Sequence, residues 1–303
     1  MMKALLFAAH GGPEVLTVAE VPAPHAGPGE IRIAVRAAGV SPADDALRSG
    51  AWKNMFQIPL PYVVGVDAAG VVDQVGPGVE GVRPGDEVYG VRPGGATTAE
   101  FAVFDLWAHK PAAWSWSEAG GAAGGVATAA HALDVLGLGA GDTLLLDGAS
   151  GGVGAVAVQL AVARGIRVIG TSSPANHAFL ASLGAEPVAY GPGLPARVGT
   201  RVDAALDVGG HGDVAELVTL AGGAARVRTL VTRNVAHGVS LLRVDPAGVP
   251  AALAAAAALA EAGRLTVPVA AEYAMTDGPA AHVRIARGHA RGKVVITVRE
   301  AIK

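Results

Sequence analysis

The most constraining feature of the chain is a glycine-rich segment in its middle, LLLDGASGGVGAVAVQLAVARGIRVIGTS, at residues 144–172. An apolar stretch leads directly into the glycines and is followed by a helical pattern and a second apolar stretch ending near Thr171. This order predicts a strand, a tight turn, a helix and a second strand, which together form a complete βαβ unit. Unpaired N–H groups at a helix N-terminus, beside glycines that allow close approach, favour binding of a pyrophosphate.

The glycines match the dinucleotide motif G-x-G-x-x-G only in part. Ala149 occupies the first glycine position, and among 43 glycines a chance match is easy, since glycine also lets a helix pack closely on a strand. The spacing of a hydrolase G-x-S-x-G elbow is present as well. The extra glycine at 154 and the position between a predicted strand and helix favour the dinucleotide. The predicted cofactor-binding turn consists of Ser150, Gly151, Gly152, Val153 and Gly154.

The end of the second strand indicates which dinucleotide is bound. An NAD site offers Asp or Glu to the ribose 2′-hydroxyl, but no carboxylate occurs in GTSSPANH at residues 170–177. Hydroxyls and an imidazole suit a 2′-phosphate, so NADPH is favoured over NADH. His177 is equally compatible with a solvated first helical turn. The candidate adenosine contacts are Thr171, Ser172, Ser173, His177 and Tyr190, the last of which is otherwise an ordinary strand aromatic.

Composition narrows the function classes. The 303 residues suffice for two domains, and although 51% are hydrophobic, no apolar run reaches the roughly 20 residues that span a bilayer. A net charge of -3 without a Lys/Arg cluster argues against nucleic acid and for a small-molecule substrate. The N-terminus lacks the pattern of a secretory signal, so a cytoplasmic location is expected. The absence of cysteine excludes disulfides, thiol nucleophiles and thiolate-bound metals.

The pattern of elements predicts two domains. Short strands separated by Gly/Pro turns fill the first 110 residues, whereas helices and strands alternate from about 117 to 225, which predicts a parallel sheet. Gly165 and Gly184 follow two predicted helices, at positions where glycine commonly caps a helix C-terminus. Later come an alanine-rich helix at 249–260 and strands at 265–269 and 293–298. Earlier strands include a long one at 63–75.

Several segments together resemble the medium-chain dehydrogenase/reductase superfamily, and within it the zinc-free quinone oxidoreductase (ζ-crystallin-like) branch. They are AAGVSPADDALRSG (37–50), LPYVVGVDAAGVVDQVGPGVEGVRPGDEVYGV (60–91), GASGGVG (148–154), SLGAEPVAY (182–190), VDAALDVGG (202–210) and HARGKVVITV (289–298). The resemblance implies an α/β fold: a GroES-like β domain at 1–115 and 264–303, and a Rossmann doubly wound parallel-sheet domain at 116–263. It also implies NADPH in the cleft and a homodimer.

The resemblance also indicates whether the chain can bind zinc. Zinc-containing members carry an early Cys and a later Gly-His-Glu motif, where this chain has Ser41 and Gly65, Val66, Asp67. The four-cysteine structural zinc lobe is missing too. Because these groups cannot complete a tetrahedral zinc site, we expect no metal. Polarisation of a carbonyl then depends on hydroxyls, backbone N–H groups or water.

Further site residues follow from the same resemblance. Family members commonly have Asn and Tyr near the nicotinamide at the positions of Ser41 and Trp52, and a Thr near its ribose at Thr128. His131, one helical turn after Thr128, is either a proton donor or a packing residue. Alternatives remain for Thr128, which could bond its own helix, and for Lys293, which could be a surface residue at a strand edge. The remaining expected cofactor contacts are Gly209, Val231 and Lys293.

These observations support three hypotheses. The first is NADPH-dependent hydride transfer to a quinone, enone or related conjugated carbonyl. The second keeps the scaffold but narrows the substrate to an enoyl thioester or biosynthetic intermediate. The third is an NADPH-binding protein without reductase activity, acting as a sensor or a cyclase, which the residues at Ser41 and Trp52 leave open.

Overall fold

The computed structural model describes residues 1–235, 237–288 and 290–298, and the chain divides into two compact units. The first unit is Met1–Gly124 with Val249–Lys303, and the second is Gly125–Gly248. Two sequence assignments, the segment 289–298 and the domain range ending at 303, include His289 and residues 299–303, which lie outside the described residues.

The N-terminal part of the first unit is mostly antiparallel β-structure, followed by a long helix. In strand β3, Ile31, Ile33 and Val35 are fully buried while the residues between them are partly exposed, which is the two-residue period of a strand with one face on a core. The elements are β1 (Met2–Phe7), β2 (Thr17–Val21), β3 (Ile31–Val40), α1 (Pro42–Arg48), β4 (Tyr62–Val63), β5 (Asp67–Val75), β6 (Glu87–Val91), β7 (Phe101–Phe104), β8 (Leu106–His109) and α2 (Trp116–Val135).

The second unit is built on a parallel sheet. Its elements are β9 (Thr143–Asp147), α3 (Gly152–Ala163), β10 (Arg167–Ser172), α4 (His177–Ser182), β11 (Glu186–Ala189), α5 (Leu194–Val198), β12 (Ala204–Asp207), α6 (Val214–Ala221), β13 (Val227–Thr229) and β14 (Ser240–Leu241). In the described residues the strand order is β11-β10-β9-β12-β13-β14. The order reverses between β9 and β12, and ligands of such folds bind beyond the carboxyl ends of the strands at this point. The predicted parallel sheet is confirmed.

The C-terminal part returns to the first unit, as the sequence predicted. Its elements are α7 (Val249–Glu261), β15 (Val269–Ala274), α8 (Gly278–Ala286) and β16 (Lys293–Thr297). Strand β16 pairs with β15 and β3 in a sheet of order β15-β16-β3-β5-β6-β8, and β7 also pairs with β3. A smaller sheet has the order β2-β1-β4.

The structure corrects three details. Helix α7, predicted in the nucleotide-binding domain 116–263, belongs to the first unit, where the Tyr89 hydroxyl donates a 2.6 Å hydrogen bond to the Leu253 carbonyl. The strand predicted at 265–269 starts only at Val269, because Pro268 has no N–H to donate to a ladder. The long strand predicted at 63–75 is interrupted, because Gly65 has a φ of +90°.

Helix α8 buries an unusual histidine. His282 is 0% exposed, and neither ring nitrogen has a hydrogen-bond partner among the described residues. Burial lowers its pKa to about 4, and the positive charge of Arg48 acts in the same direction. Arg48 is itself buried, where it donates to the Gly11 carbonyl and pairs with Asp45. Asp44, four residues before Arg48, instead accepts hydrogen bonds from Ser41 and Gly65.

The burial of His282 predicts that the folded protein loses stability at acidic pH. Between pH 6.5 and 4 the unfolded chain binds a proton at His282 that the folded chain does not, so stability falls as the pH falls. From pH 7 to pH 5 we expect a loss of about 2 kcal/mol from this group. Urea unfolding of the wild type and of His282→Leu at both pH values checks this. The variant should lose about 2 kcal/mol less, and equal losses would contradict the assignment.

Candidate functional site

The glycine-rich turn joins β9 to α3. Gly148 has a φ of +83°, and Gly151 is the N-terminal cap of the helix. The amide of Ala155 donates to the Gly151 carbonyl at 2.9 Å, so the amides of residues 152–154 lie before this bond at the N-terminus of α3. These amides and the positive end of the helix dipole suit an anion.

Two glycines of the turn have different surroundings. A Cβ on Gly154 would overlap the Gly148 carbonyl oxygen and lie 2.7 Å from the Cα of Ala149. At Gly151 the nearest atom to an added Cβ is 3.5 Å away. Gly154 therefore allows the helix to pack on its own turn, whereas a Cβ on Gly151 would make only an ordinary van der Waals contact. Ser150, Gly152 and Val153, also predicted to bind the cofactor, are half-buried like Gly151.

Thr171 has a different role from the predicted one. It is 0% exposed, and its hydroxyl donates to Asp147 at 2.6 Å and accepts from the Gly148 amide at 3.1 Å. The Ala149 amide donates to its carbonyl at 3.0 Å. Both its hydroxyl and its carbonyl thus hold the glycine turn, and its hydroxyl is not directed outward to a 2′-phosphate.

The residues after β10 form a short polar segment. Ser172 is 2% exposed and its hydroxyl donates to the Ser173 carbonyl, whereas Ser173 and His177 are half-buried. The Nε2 atom of His177 is buried and has no hydrogen-bond partner in the described part of the chain. The Asn176 amide donates to the Ser150 hydroxyl at 3.2 Å, which ties this segment to the glycine turn. An unsatisfied imidazole nitrogen there is consistent with a ligand that supplies a partner.

Two buried aspartates end the central strands β9 and β12. Asp147 accepts hydrogen bonds from Thr171 and from the amides of His211 (3.0 Å) and Gly212 (3.2 Å). Burial raises the pKa of Asp147, and the nearby charge of Asp207 raises it further. Asp147 therefore connects the glycine turn to the loop after β12. Sequence reasoning missed it, although an acidic residue at the end of a buried strand was a visible signal.

Asp207 organises the neighbouring loops in the same way. Its carboxylate accepts from the Gly210 amide, the Thr229 hydroxyl and the Asn234 side chain, each at 2.7 Å. The predicted contact Val231 follows, and its amide donates to the Thr229 hydroxyl at 2.9 Å. The two aspartates thus fix three loops at the carboxyl edge of this sheet.

The other predicted residues of this edge also have defined contacts. A Cβ on Gly209 would lie 2.8 Å from the Cα of Gly148, so the close approach at Gly209 is to the glycine turn itself. The Tyr190 ring is stacked on that of His211, with centroids 5.0 Å apart. Tyr190 therefore extends this edge as part of an aromatic pair and is not an isolated strand aromatic.

In the first unit, Ser41 is the N-terminal cap of α1. Its hydroxyl donates to Oδ2 of Asp44 at 2.7 Å, and its amide donates to the same oxygen at 2.8 Å. Oδ1 of Asp44 accepts from the Gly65 amide at 3.0 Å. Burial raises the pKa of Asp44, and the hydrogen bonds from Ser41 and Gly65 and the charge of Lys293 oppose this. Ser41 itself is half-buried.

Lys293 is neither an exposed strand-edge residue nor a free cation. It is 6% exposed, and its Nζ lies 3.0 Å from Oδ2 of Asp67, which is 1% exposed. Oδ1 of Asp67 accepts from the Gly124 amide at 2.8 Å. Burial raises the pKa of Asp67, and the Lys293 charge opposes this. Within this unit the Lys293 ammonium group is thus half of a buried ion pair, and its contact with a cofactor stays a prediction.

The remaining predicted site residues are partly accessible. Trp52 of the first unit is half-buried and packs against Phe56, with ring centroids 5.7 Å apart. Thr128 and His131 lie one turn apart on the part of α2 that belongs to the second unit, and both are half-buried. Each can contact a bound molecule.

The side chains present do not fit a zinc ion. No group of three or more His, Cys, Asp or Glu side chains that could hold a metal occurs among the described residues. Asp67, which falls at the acidic position of the Gly-His-Glu motif, already binds Lys293 and Gly124. No step of the chemistry is therefore derived through zinc.

Comparison with known proteins identifies the family. Residues 27–134 match the alcohol dehydrogenase GroES-like domain, and residues 183–296 match the family described as zinc-binding dehydrogenase. The structure of the quinone oxidoreductase from Coxiella burnetii superposes with a TM-score of 0.80 and 28% identity, covering 98% of this chain and 99% of that one. The chain is a member of the medium-chain dehydrogenase/reductase family. The predicted family, its quinone oxidoreductase-like character and the GroES-like plus Rossmann fold are confirmed.

Two curated relatives of this medium-chain dehydrogenase/reductase are a polyketide synthase system protein and a reductase. The spectinabilin polyketide synthase system protein NorB of Streptomyces orinoci is 31% identical over 96% of this chain, which spans 14% of that protein. The 2-methylene-furan-3-one reductase of Solanum lycopersicum is 34% identical over 75% of this chain and 62% of the reductase. The chain thus spans less than two thirds of each relative. The family is one of oxidoreductases that bind a nicotinamide cofactor.

Within residues 1–235, 237–288 and 290–298, no helix has both the length and the apolar character needed to span a bilayer.

Proposed function

We propose that the protein is a zinc-independent NADPH-dependent oxidoreductase that reduces a quinone, enone or related conjugated carbonyl. One observation carries this proposal: the N-terminus of α3 follows a glycine turn in which an added Cβ at Gly151 meets no atom closer than 3.5 Å. The added Cβ would not clash there, and the amides of residues 152–154 at this helix N-terminus favour a diphosphate. A turn packed tightly against its own sheet would argue against a dinucleotide.

Residues of the second unit would hold the cofactor. The amides of Gly152, Val153 and Gly154 would bind the diphosphate. Ser173 and the unpartnered Nε2 of His177 would bind a 2′-phosphate, which supports NADPH, since no carboxylate follows β10 to favour NADH. When bound, this cofactor supplies the hydride.

Residues of the first unit would bind the substrate. The Ser41 hydroxyl would donate a hydrogen bond to a carbonyl in place of its bond to Asp44, and the Trp52 ring offers an apolar surface that excludes water. Thr128, of the second unit, would contact the nicotinamide ribose, and His131 of the same unit would supply an imidazole beside it. Because no metal-binding group is present in the described residues, polarisation of the carbonyl depends on such donors and on backbone amides.

Replacing Gly151 by alanine tests the cofactor site. The backbone at Gly151, with a φ of -77° and a ψ of 179°, accepts any residue, so the fold should persist. The new methyl group should block the diphosphate and weaken NADPH binding by roughly 100-fold, as expected when about 3 kcal/mol of contact is lost. Fluorescence titration with NADPH and NADH measures this. The wild type should prefer NADPH, and unchanged affinity in Gly151→Ala would overturn the proposed site.

An enoyl-thioester reductase is the second candidate, and the similarity to NorB over 96% of this chain favours it. Assays with a free enone, a quinone and an enoyl thioester, all with NADPH, separate the two. Turnover of the thioester alone would support the second candidate. Tight NADPH binding without deuterium transfer to any of the three would indicate a non-reducing NADPH-binding protein instead.

A further inference from the structure

The first unit buries an acid beside the hydroxyl group of a half-buried serine. Asp44 is 1% exposed, and its Oδ2 lies 2.7 Å from the hydroxyl oxygen of half-buried Ser41. A molecule bound near the start of α1 would therefore meet the Ser41 hydroxyl, with the Asp44 carboxyl group directly behind it.

Helix capping does not explain the burial of this acid. Helix α2 starts with the same reciprocal arrangement, in which Ser115 donates to Glu118 at 2.9 Å and the Glu118 amide donates to Ser115 at 3.2 Å. Ser115 is exposed there and Glu118 is only half-buried. A capping box thus forms in this unit without placing a carboxyl group in the interior.

Among the described residues, Asp44 is the buried carboxyl group of this region that has no cation paired with it, so it is the one suited to carry a proton. Two carboxyl groups, Asp44 and Asp67, share this interior with one ammonium group, and Lys293 pairs with Asp67 at 3.0 Å. None of the ion pairs in the described residues includes Asp44. Burial raises its pKa. Burial raises the pKa of the Tyr62 phenol to about 12, so this phenol is a much weaker acid than the Asp44 carboxyl group.

We propose that Asp44 is the proton source of the reduction and delivers its proton through the Ser41 hydroxyl. This inference rests on the proposed function, which supplies NADPH as the reductant. It assigns the proton donor to a serine–aspartate pair in a chain that has Trp52 where family members commonly have a tyrosine near the nicotinamide.

The proposed step is balanced. Hydride addition to the conjugated carbon moves the C=C electron pair toward the carbonyl and leaves an enolate. When Asp44 is protonated, Oδ2–H donates to Oγ of Ser41, which reverses the hydrogen bond described for the carboxylate and leaves the Ser41 hydroxyl proton to point at the enolate. The enolate takes that proton while Oγ of Ser41 takes the proton on Oδ2 of Asp44. The product has gained one hydride and one proton, and Asp44 remains as a carboxylate. Water then restores the Asp44 proton by the same path.

The test compares Ser41→Ala, Ser41→Thr and the matched capping control Ser115→Ala with an enone as substrate. Loss of a general acid lowers kcat by roughly 100-fold or more, so we expect that decrease for Ser41→Ala. Ser41→Thr keeps the hydroxyl and should stay within about tenfold of the wild type, and Ser115→Ala should be unchanged. The affinity for NADPH should be the same in all three, because the glycine turn belongs to the other unit.

Two further readouts separate proton delivery from a structural effect. The wild-type kcat should fall as the pH rises and Asp44 loses its proton, and a solvent deuterium isotope effect should accompany the proton step. Ser41→Ala should lose both the pH limb and the isotope effect. Retention of kcat in Ser41→Ala, or equal losses in Ser41→Ala and Ser115→Ala, would overturn the relay alone. A wild type that neither binds nor oxidises NADPH would overturn the proposed function and the relay with it.

Discussion

Gly154→Ala is expected to destabilise the second unit by about 3 kcal/mol, the upper end of the penalty for overpacking a fitted core. The added Cβ would overlap the Gly148 carbonyl oxygen and lie 2.7 Å from the Cα of Ala149, and both are backbone atoms that cannot rotate away. Helix α3 would have to move off the glycine turn. Because the amides at its N-terminus would move with it, NADPH binding should also be lost.

Gly125→Ala is the matched control. Gly125 is a buried glycine within α2, and the nearest atom to its added Cβ is 3.5 Å away. Alanine in a helix interior is favoured by up to about 1 kcal/mol over glycine, so this variant should be neutral or stabilised. Thermal unfolding and NADPH titration of both variants measure the difference. If the two variants were equally stable, the overlap of the added Cβ at residue 154 with the backbone of the glycine turn would cost no free energy of unfolding, which would contradict this prediction.

The contrast between Gly154 and Thr171 shows how far the sequence could predict this site. A glycine at the start of a helix, after a strand and a tight turn, is a local pattern, so the βαβ unit was recognisable from adjacent residues. Thr171 also lies in the expected place, but its hydroxyl is occupied by Asp147, 24 residues away on the neighbouring strand. Such a contact depends on strand register, which the sequence pattern does not specify.

The prediction of secondary structure was wrong where a backbone constraint at one residue interrupts an apolar stretch. Residues 63–75 have the composition of one strand, yet the positive φ of Gly65 divides them, and its amide then binds Asp44. Composition cannot report this interruption, because the same glycine is tolerated inside a strand. The interruption matters for the candidate site, since it places one of the three hydrogen-bond donors around the Asp44 carboxyl group.

Removing the Lys293 charge is expected to destabilise the first unit by about 3–5 kcal/mol, because Lys293→Met leaves a buried carboxylate without its partner. Asp67 is 1% exposed and would retain the hydrogen bond from Gly124 but not the ion pair. Without the ammonium group its pKa would rise further. The folded variant would then bind a proton that the unfolded chain does not, so the destabilisation should be largest at neutral pH and shrink toward pH 5.

The double variant Lys293→Met/Asp67→Asn separates the ion pair from a cofactor contact. Asparagine can still accept the hydrogen bond from Gly124, and no buried charge is left unpaired, so much of the lost stability should return. Urea unfolding at pH 7 and pH 5, together with NADPH titration, measures both effects. If Lys293→Met instead kept its stability and lost NADPH affinity, the role suggested by family resemblance would be correct and the ion pair secondary. The buried geometry favours the first result, because Lys293 is 6% exposed and its ammonium group is already paired with a carboxylate.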